Sequence, residues 1–94
     1  MPRPLTYEEF RQLILDWLDD HYHFGEAATL VQDDDRSFLD NGILNSLGFV
    51  ALIVYLEDLF RITIDRKSLT RENFDSMRKI ITYVMNHPEY RGLA

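Results

Sequence analysis

The chain has 94 residues, no cysteine and a formal net charge of −6. This length allows one small domain with a single core, and the lack of cysteine excludes disulfides and thiolate metal ligands. An acidic chain is a poor match for nucleic acid, because phosphate binding needs a basic surface. No apolar run approaches the roughly 20 residues of a membrane span, so we expect a cytoplasmic protein without a membrane or nucleic-acid partner.

The first predicted helix begins after Thr6. Thr6 and Glu9 have the spacing of a capping box, in which each side chain accepts a hydrogen bond from the other residue's backbone N–H. Apolar residues then recur at helical spacing from Phe10 to Leu18, which indicates an amphipathic helix. We expect it to end near residues 20–22, with a chain reversal at Gly25.

The segment 23–45 predicts a long loop with one helical turn near residues 26–30. A loop of this length in a compact domain is usually functional or ordered by its own side chains. The aspartates at 33–35 are expected to be its most solvated part. Their spacing does not fit a calcium loop, and His21 and His23 are too few for zinc, so no metal site is predicted. Six apolar residues are expected to hold the loop against the core: Leu30, Val31, Phe38, Leu39, Ile43 and Leu44.

The second predicted helix runs from Ser46 to Phe60, with Asn45 as a good N-cap. Its apolar residues form two stripes. The first has the spacing of a core-facing surface and comprises Phe49, Leu52, Ile53, Leu56, Leu59 and Phe60. The second comprises Leu47, Val50, Ala51 and Val54. A small core needs only the first stripe, so the second is expected to remain exposed for a partner.

The last third of the chain predicts an extended connection and two further helices. Ile62 and Ile64 are expected to be buried in the connection. A short third helix is predicted over 69–74, with Thr70 as its cap. The last helix begins near Met77, capped by Asp75 or Ser76, and stops at the N-H-P sequence of residues 86–88.

Together these elements predict an all-α fold. It is a small four-helix bundle, with three main helices and a short third helix, and with a long loop between the first two. We expect a single domain over residues 1–94, with the bundle at about 5–87 and a tail at 88–94. Residues 89–94 show no pattern that would order them.

The residues around Ser46 resemble the acyl/peptidyl carrier protein family. The resemblance is carried by F-L-D-N-G-I-L before the serine and by N-S-L-G-F-V-A-L-I-V-Y-L-E-D-L-F-R-I-T-I from Asn45 onward. In that family, the serine of a D-S-L motif at the start of the second helix carries 4′-phosphopantetheine, which implies attachment at Ser46. Asn45 stands where the family usually has aspartate, so the capping oxygen is kept and the charge is lost.

The resemblance implies a freestanding carrier rather than an enzyme. The thiol of the arm would hold an acyl or aminoacyl group as a thioester, and a monomer would carry it between the enzymes of a biosynthetic pathway. The implied partners are a phosphopantetheinyl transferase, an acyl- or aminoacyl-activating enzyme and a downstream acyl-accepting enzyme. The expected docking residues are Asn45, Leu47, Val50, Ala51 and Val54. The sequence leaves the cargo open.

A second interpretation needs no modification. Serine is common at helix starts, and the second apolar stripe could bind a partner helix in the manner of a small interaction domain.

Overall fold

A computed structural model describes residues 2–93 and confirms an all-α fold. Five α-helices follow one another along the chain: α1 (Tyr7–Leu18), α2 (Ala27–Leu30), α3 (Ser46–Phe60), α4 (Arg71–Phe74) and α5 (Met77–Met85). The short α2 is the helical turn expected in the loop, and α4 is the expected short third helix. Residues 2–93 contain no β-strand, only one isolated antiparallel bridge between Arg3 and Leu93. None of the helices in this range has the length and apolar character needed to cross a bilayer.

The start of α1 is the predicted capping box. Thr6 Oγ1 accepts from the backbone N–H of Glu9 at 3.1 Å, and Glu9 Oε1 accepts from that of Thr6 at 3.0 Å. Beyond Leu18 the chain continues as a π-helical turn to His23. It then reverses at Phe24 and Gly25, which have φ angles of 49° and 101°. The reversal near Gly25 is therefore confirmed, with Phe24 sharing the left-handed conformation.

The loop between α2 and α3 corrects one prediction. The aspartates at 33–35 are not simply solvated, because Asp34 is half-buried. Asp34 accepts from Tyr7 Oη at 2.6 Å and pairs with Arg11 Nε at 2.8 Å. Its neighbour Asp35 pairs with Arg78 on α5 at 2.7 Å. These bonds join the loop to α1 and α5, while the predicted apolar anchors Val31, Phe38, Ile43 and Leu44 are buried beneath it.

Helix α3 places its first apolar stripe in the core. Leu52, Ile53, Leu56 and Phe60 are buried in the core, where Phe60 stacks on Phe10 of α1 with a centroid distance of 5.0 Å, and Phe49 and Leu59 pack at the edge of the same core. The helix ends at Arg61, whose φ of 56° is the left-handed conformation of a helix C-cap.

The chain after α3 follows the predicted course, except that one predicted cap makes no hydrogen bond. Ile62 and Ile64 are buried in an extended connection, which leads into a 3-10 turn at Arg66–Ser68. Thr70 occupies the N-cap position of α4, but its side chain makes no capping hydrogen bond. Of the two predicted caps of α5, Ser76 takes this role by accepting from the backbone N–H of Lys79 at 3.1 Å. The carboxylate of Asp75 is instead directed toward the loop before α3.

The tail is ordered through Leu93, contrary to the sequence prediction. The ring of Tyr90 packs on Phe60 and Phe10, with centroid distances of 5.3 and 6.4 Å. Its hydroxyl accepts from the backbone N–H of Leu5 at 3.0 Å. The prediction was wrong because one aromatic residue with two apolar partners can anchor a segment that shows no periodicity. The part of that prediction that concerns Ala94 lies outside the described residues.

Candidate functional site

The first turn of α3 presents Ser46 at the protein surface. Asn45 Oδ1 accepts from the backbone N–H of Gly48 at 2.7 Å, which satisfies one of the unpaired donors of the helix start. The extended backbone of Asn45 marks the beginning of the helix. Ser46 is the first residue inside it and is exposed. Within residues 2–93, no group forms a hydrogen bond with the Ser46 hydroxyl, so the oxygen is accessible.

Gly48 allows close packing beneath this first turn. A Cβ atom at Gly48 would lie 3.1 Å from Leu44 Cδ2 and 3.1 Å from the Tyr22 ring and hydroxyl, which is tighter than ordinary van der Waals contact. The sequence interpretation did not single out Gly48. The sequence feature that could have indicated it is a glycine inside a predicted helix. Such a glycine destabilises the helix by about 1 kcal/mol relative to alanine, so its presence usually indicates close packing.

Four apolar residues of α3 are exposed next to Ser46. The exposed fractions are 79% for Leu47, 53% for Val50 and 48% for Val54, and Ala51 is also exposed. The structure thus brings the residues of the second stripe together on one face, with Ser46 at its end. Such a contiguous apolar surface is uncommon on a monomer and is typical of an interaction site.

A small cleft opens between α3 and α4 beside Ser46. Its volume is about 160 Å³. Its apolar wall comprises Leu39, Phe49, Val50, Ile53 and Leu69, and its polar end comprises Ser46, Thr70, Arg71 and Asp75. A group attached to Ser46 Oγ that enters the cleft therefore meets both apolar and charged side chains.

The polar end of the cleft is organised by Asp75. Its Oδ2 accepts from Ser37 Oγ at 2.6 Å and from Arg71 Nη2 at 2.9 Å, and its Oδ1 accepts from the backbone N–H of Leu39 at 3.0 Å. Burial disfavours the charge of Asp75, but these hydrogen bonds outweigh burial and hold its pKa below the ordinary value. The sequence interpretation considered Asp75 only as a helix cap, because its partners in the loop lie more than 35 positions away.

All three histidine rings are bonded to backbone carbonyl oxygens, and none of them lines the cleft beside Ser46. His23 Nε2 is bonded to the carbonyl oxygen of Ile43 at 2.7 Å, and His21 stacks on Trp17 with its Nδ1 bonded to the Trp17 carbonyl. Both are therefore surface or half-buried structural residues, as the sequence interpretation expected. Ser46 presents an exposed hydroxyl at the start of α3.

Comparison with known proteins identifies relatives of one kind. The chain is 36% identical over 59 residues to the D-alanyl carrier protein of Abiotrophia defectiva, a match that covers 63% of this chain and 75% of that protein. It is 40% identical over 58 residues to the D-alanyl carrier protein of Streptococcus uberis, covering 62% and 71%. A third match, to the D-alanyl carrier protein of Streptococcus suis, is 39% identical over 62 residues and covers 66% and 76%. The chain belongs to the carrier-protein family. No model of a protein family matches it.

The residues of this carrier protein fit a serine-linked phosphopantetheine arm. Ser46 Oγ is exposed, the cleft beside it is open, and the first turn of α3 contains no acidic residue that would repel a phosphate. Asn45 keeps the cap without adding negative charge. A bulky group on Ser46 can therefore extend into solvent or along the cleft without displacing the core.

Proposed function

We propose that this carrier protein holds an acyl or aminoacyl group as a thioester on a 4′-phosphopantetheine arm attached to Ser46. The observation that carries the proposal is the position of Ser46, exposed at the capped start of α3 beside an open cleft. Bound at this position, the arm supplies a terminal thiol that a chain without cysteine lacks.

The protein's own residues present the serine rather than activate it. The bond from Gly48 to Asn45 defines where α3 begins, and the packing of Tyr22 and Leu44 against Gly48 supports that first turn from below. In this proposal, a phosphopantetheinyl transferase supplies the base for attack of the hydroxyl on coenzyme A. In this role the protein is a carrier and not an enzyme.

For the cargo, we propose an aminoacyl group, with D-alanine as the first candidate to test. The named relatives are D-alanyl carrier proteins at 36–40% identity. The cargo proposal rests on these relatives and not on the size of the cleft, because a neighbouring groove of about 610 Å³ shares Val50, Ile53 and Leu69 with it.

The partners follow from this role. An activating enzyme loads the arm, and an acyl-accepting enzyme removes the cargo. We propose that both dock on the exposed stripe of Leu47, Val50, Ala51 and Val54, with Asn45 at its edge, because this surface adjoins the serine. A monomer in the cytoplasm remains our prediction.

The decisive experiment is intact-mass measurement after incubation with a broad-specificity phosphopantetheinyl transferase and coenzyme A. We expect the wild type to gain the mass of one phosphopantetheine group, and Ser46→Ala to gain none while keeping its helical circular dichroism. Ser68→Ala is the matched control and should gain the full mass. A mass gain in Ser46→Ala would refute attachment at this residue. No gain in the wild type would instead favour the unmodified interaction domain.

A further inference from the structure

The guanidinium of Arg71 is held from one side by a buried carboxylate. Its Nε and Nη2 donate to Asp75 Oδ2 at 3.1 and 2.9 Å, and only 5% of the Asp75 side chain is exposed. Nη2 also contacts Ser37 Oγ at 3.2 Å and Asp40 Oδ1 at 2.6 Å. In the described part of the chain, nothing accepts a hydrogen bond from Nη1. Because a guanidinium is planar and rigid, the bonds to Asp75 orient Nη1 without using its two donors.

The two carboxylates that bind Arg71 differ in how firmly they are held. Asp75 is buried and has further hydrogen bonds from Ser37 and from the backbone of Leu39. The side chain of Asp40 is 68% exposed, and that of Arg71 is 57% exposed. An ion pair this exposed contributes little in water, so Asp40 can be exchanged for another anion while Asp75 remains bound.

Arg71 and Ser46 line the same small cleft. The cleft has a volume of about 160 Å³, and both residues belong to its lining. An anion bonded to Ser46 Oγ would therefore share this cleft with the free donors of Arg71. The first turn of α3 contains no acidic residue, and the neutral Asn45 adds none at the cap.

We propose that Arg71 binds the phosphodiester that joins the arm to Ser46, exchanging Asp40 for the phosphate while Asp75 keeps the guanidinium in place. The inference rests on the proposed function, because the phosphate is present only when Ser46 is modified. Arginine suits this role because it can present two parallel donors to phosphate oxygens. The contact keeps the phosphate end of the arm near α4. Modification of Ser46 therefore frees the Asp40 carboxylate from Arg71.

The test compares the apo and holo forms of three proteins: the wild type, Arg71→Gln and Arg61→Gln. Arg61→Gln is the matched control, since it removes the same charge at the other end of α3, a helix of 15 residues that is about 22 Å long. Each holo form is made with the transferase and coenzyme A and verified by intact mass. The phosphodiester resonance is recorded by ³¹P NMR, and the midpoint of thermal unfolding is measured for both forms.

We expect the ³¹P resonance of holo Arg71→Gln to differ from that of the wild type, and the resonance of holo Arg61→Gln to coincide with it. Modification should raise the unfolding midpoint of the wild type and of Arg61→Gln by up to about 5 °C, because the phosphate accepts from Nη1 as well as from the Nη2 donor that Asp40 releases, and an exposed charge contact is worth at most a few degrees in a domain of this length. In Arg71→Gln this increase should be absent. The unfolding midpoint of each holo form is compared with that of the apo form of the same variant. This comparison cancels the loss of stability that Arg71→Gln causes by removing the ion pair with Asp75.

Asp40→Asn keeps the test valid if Arg71→Gln does not fold. This variant retains the bonds between Arg71 and Asp75 and removes the competing anion, so modification should raise its unfolding midpoint at least as much as in the wild type. An identical ³¹P resonance and an equal midpoint increase in wild type and Arg71→Gln would overturn the inference, as would a smaller increase in Asp40→Asn. If the wild type fails to gain the arm, the proposed function is wrong and the inference fails with it.

Discussion

The side-chain oxygen of Asn45 accepts a hydrogen bond from the backbone N–H of Gly48 at 2.7 Å, one turn into the helix that Ser46 begins. Asparagine therefore keeps the cap at a position where the resemblance implies aspartate, because either residue can cap a helix. What the substitution changes is the charge beside Ser46. Capping and charge can therefore be separated by mutation.

We predict that Asn45→Ala lowers the free energy of unfolding by about 1 kcal/mol, because the cap is lost. Asn45→Asp should keep the cap, and its carboxylate should add about 0.3–1 kcal/mol through the positive end of the helix dipole. It should also raise the catalytic efficiency of a transferase that recognises this position through a cation. Urea unfolding and transferase kinetics measure the two effects. An unchanged or reduced efficiency in Asn45→Asp would mean that the transferase does not recognise charge here.

The exposed stripe on α3 predicts apolar docking. Affinity for the cognate loading enzyme should change little as salt rises to about 0.5 M, because salt screens exposed charge pairs but does not weaken apolar burial. Val50→Asp and Val54→Asp should each reduce affinity sharply, since they place a charge in the contact. Thr82→Asp, at an exposed position on α5, is the control and should bind normally. Titration calorimetry at low and high salt measures these effects. A steep loss of binding with salt, together with normal binding by both valine variants, would exclude this surface.

Asp75 predicts a pH dependence of stability. Its pKa in the folded protein lies below the ordinary value, because bonds from Ser37, Leu39 and Arg71 outweigh the effect of burial. The unfolded chain therefore takes up the proton first on acidification. The stabilisation from Asp75 is fully present above about pH 4, the pKa of a free aspartate, and is lost as the pH falls through the lower folded pKa.

The measurement is the free energy of unfolding of wild type and Asp75→Asn between about pH 2 and 7. We expect Asp75→Asn to be less stable by about 1.5–3 kcal/mol at neutral pH, the size of hydrogen bonds to a charged group, and the difference to shrink in acid. Asp58→Asn, at an exposed position without an ion pair in the described residues, should follow the wild type. A difference that stays constant down to pH 2 would contradict the assignment.

Tyr90 predicts that the tail contributes to stability. Tyr90→Phe removes the hydrogen bond from the backbone N–H of Leu5 and should cost about 0.5–1.5 kcal/mol. Tyr90→Ala also removes the ring from Phe10 and Phe60 and should cost roughly 2–4 kcal/mol. Thermal and urea unfolding provide both values. Equal stability of wild type and Tyr90→Ala would show that the tail packs without stabilising the bundle.

The sequence by itself was sufficient for the features that depend on neighbouring residues. A capping box joins Thr6 to Glu9, and the cap of α3 joins Asn45 to Gly48, so each contact lies within one helical turn. The apolar stripes of α3 are likewise set by a period of 3.6 residues. Since these interactions form between residues close in the chain, the helix starts, the buried face and the exposed face could all be predicted.

Only the tertiary structure decided the contacts between distant positions. Tyr7 and Asp34 are 27 residues apart, Ser37 and Asp75 are 38 apart, and Leu5 and Tyr90 are 85 apart. A single polar or aromatic residue has many potential partners, and no periodicity indicates which one the folded chain brings within 3 Å. For this reason the buried Asp75, the placement of Arg71 in the cleft that Ser46 also lines and the ordered tail could not be derived from the sequence pattern, since each depends on how the whole core packs.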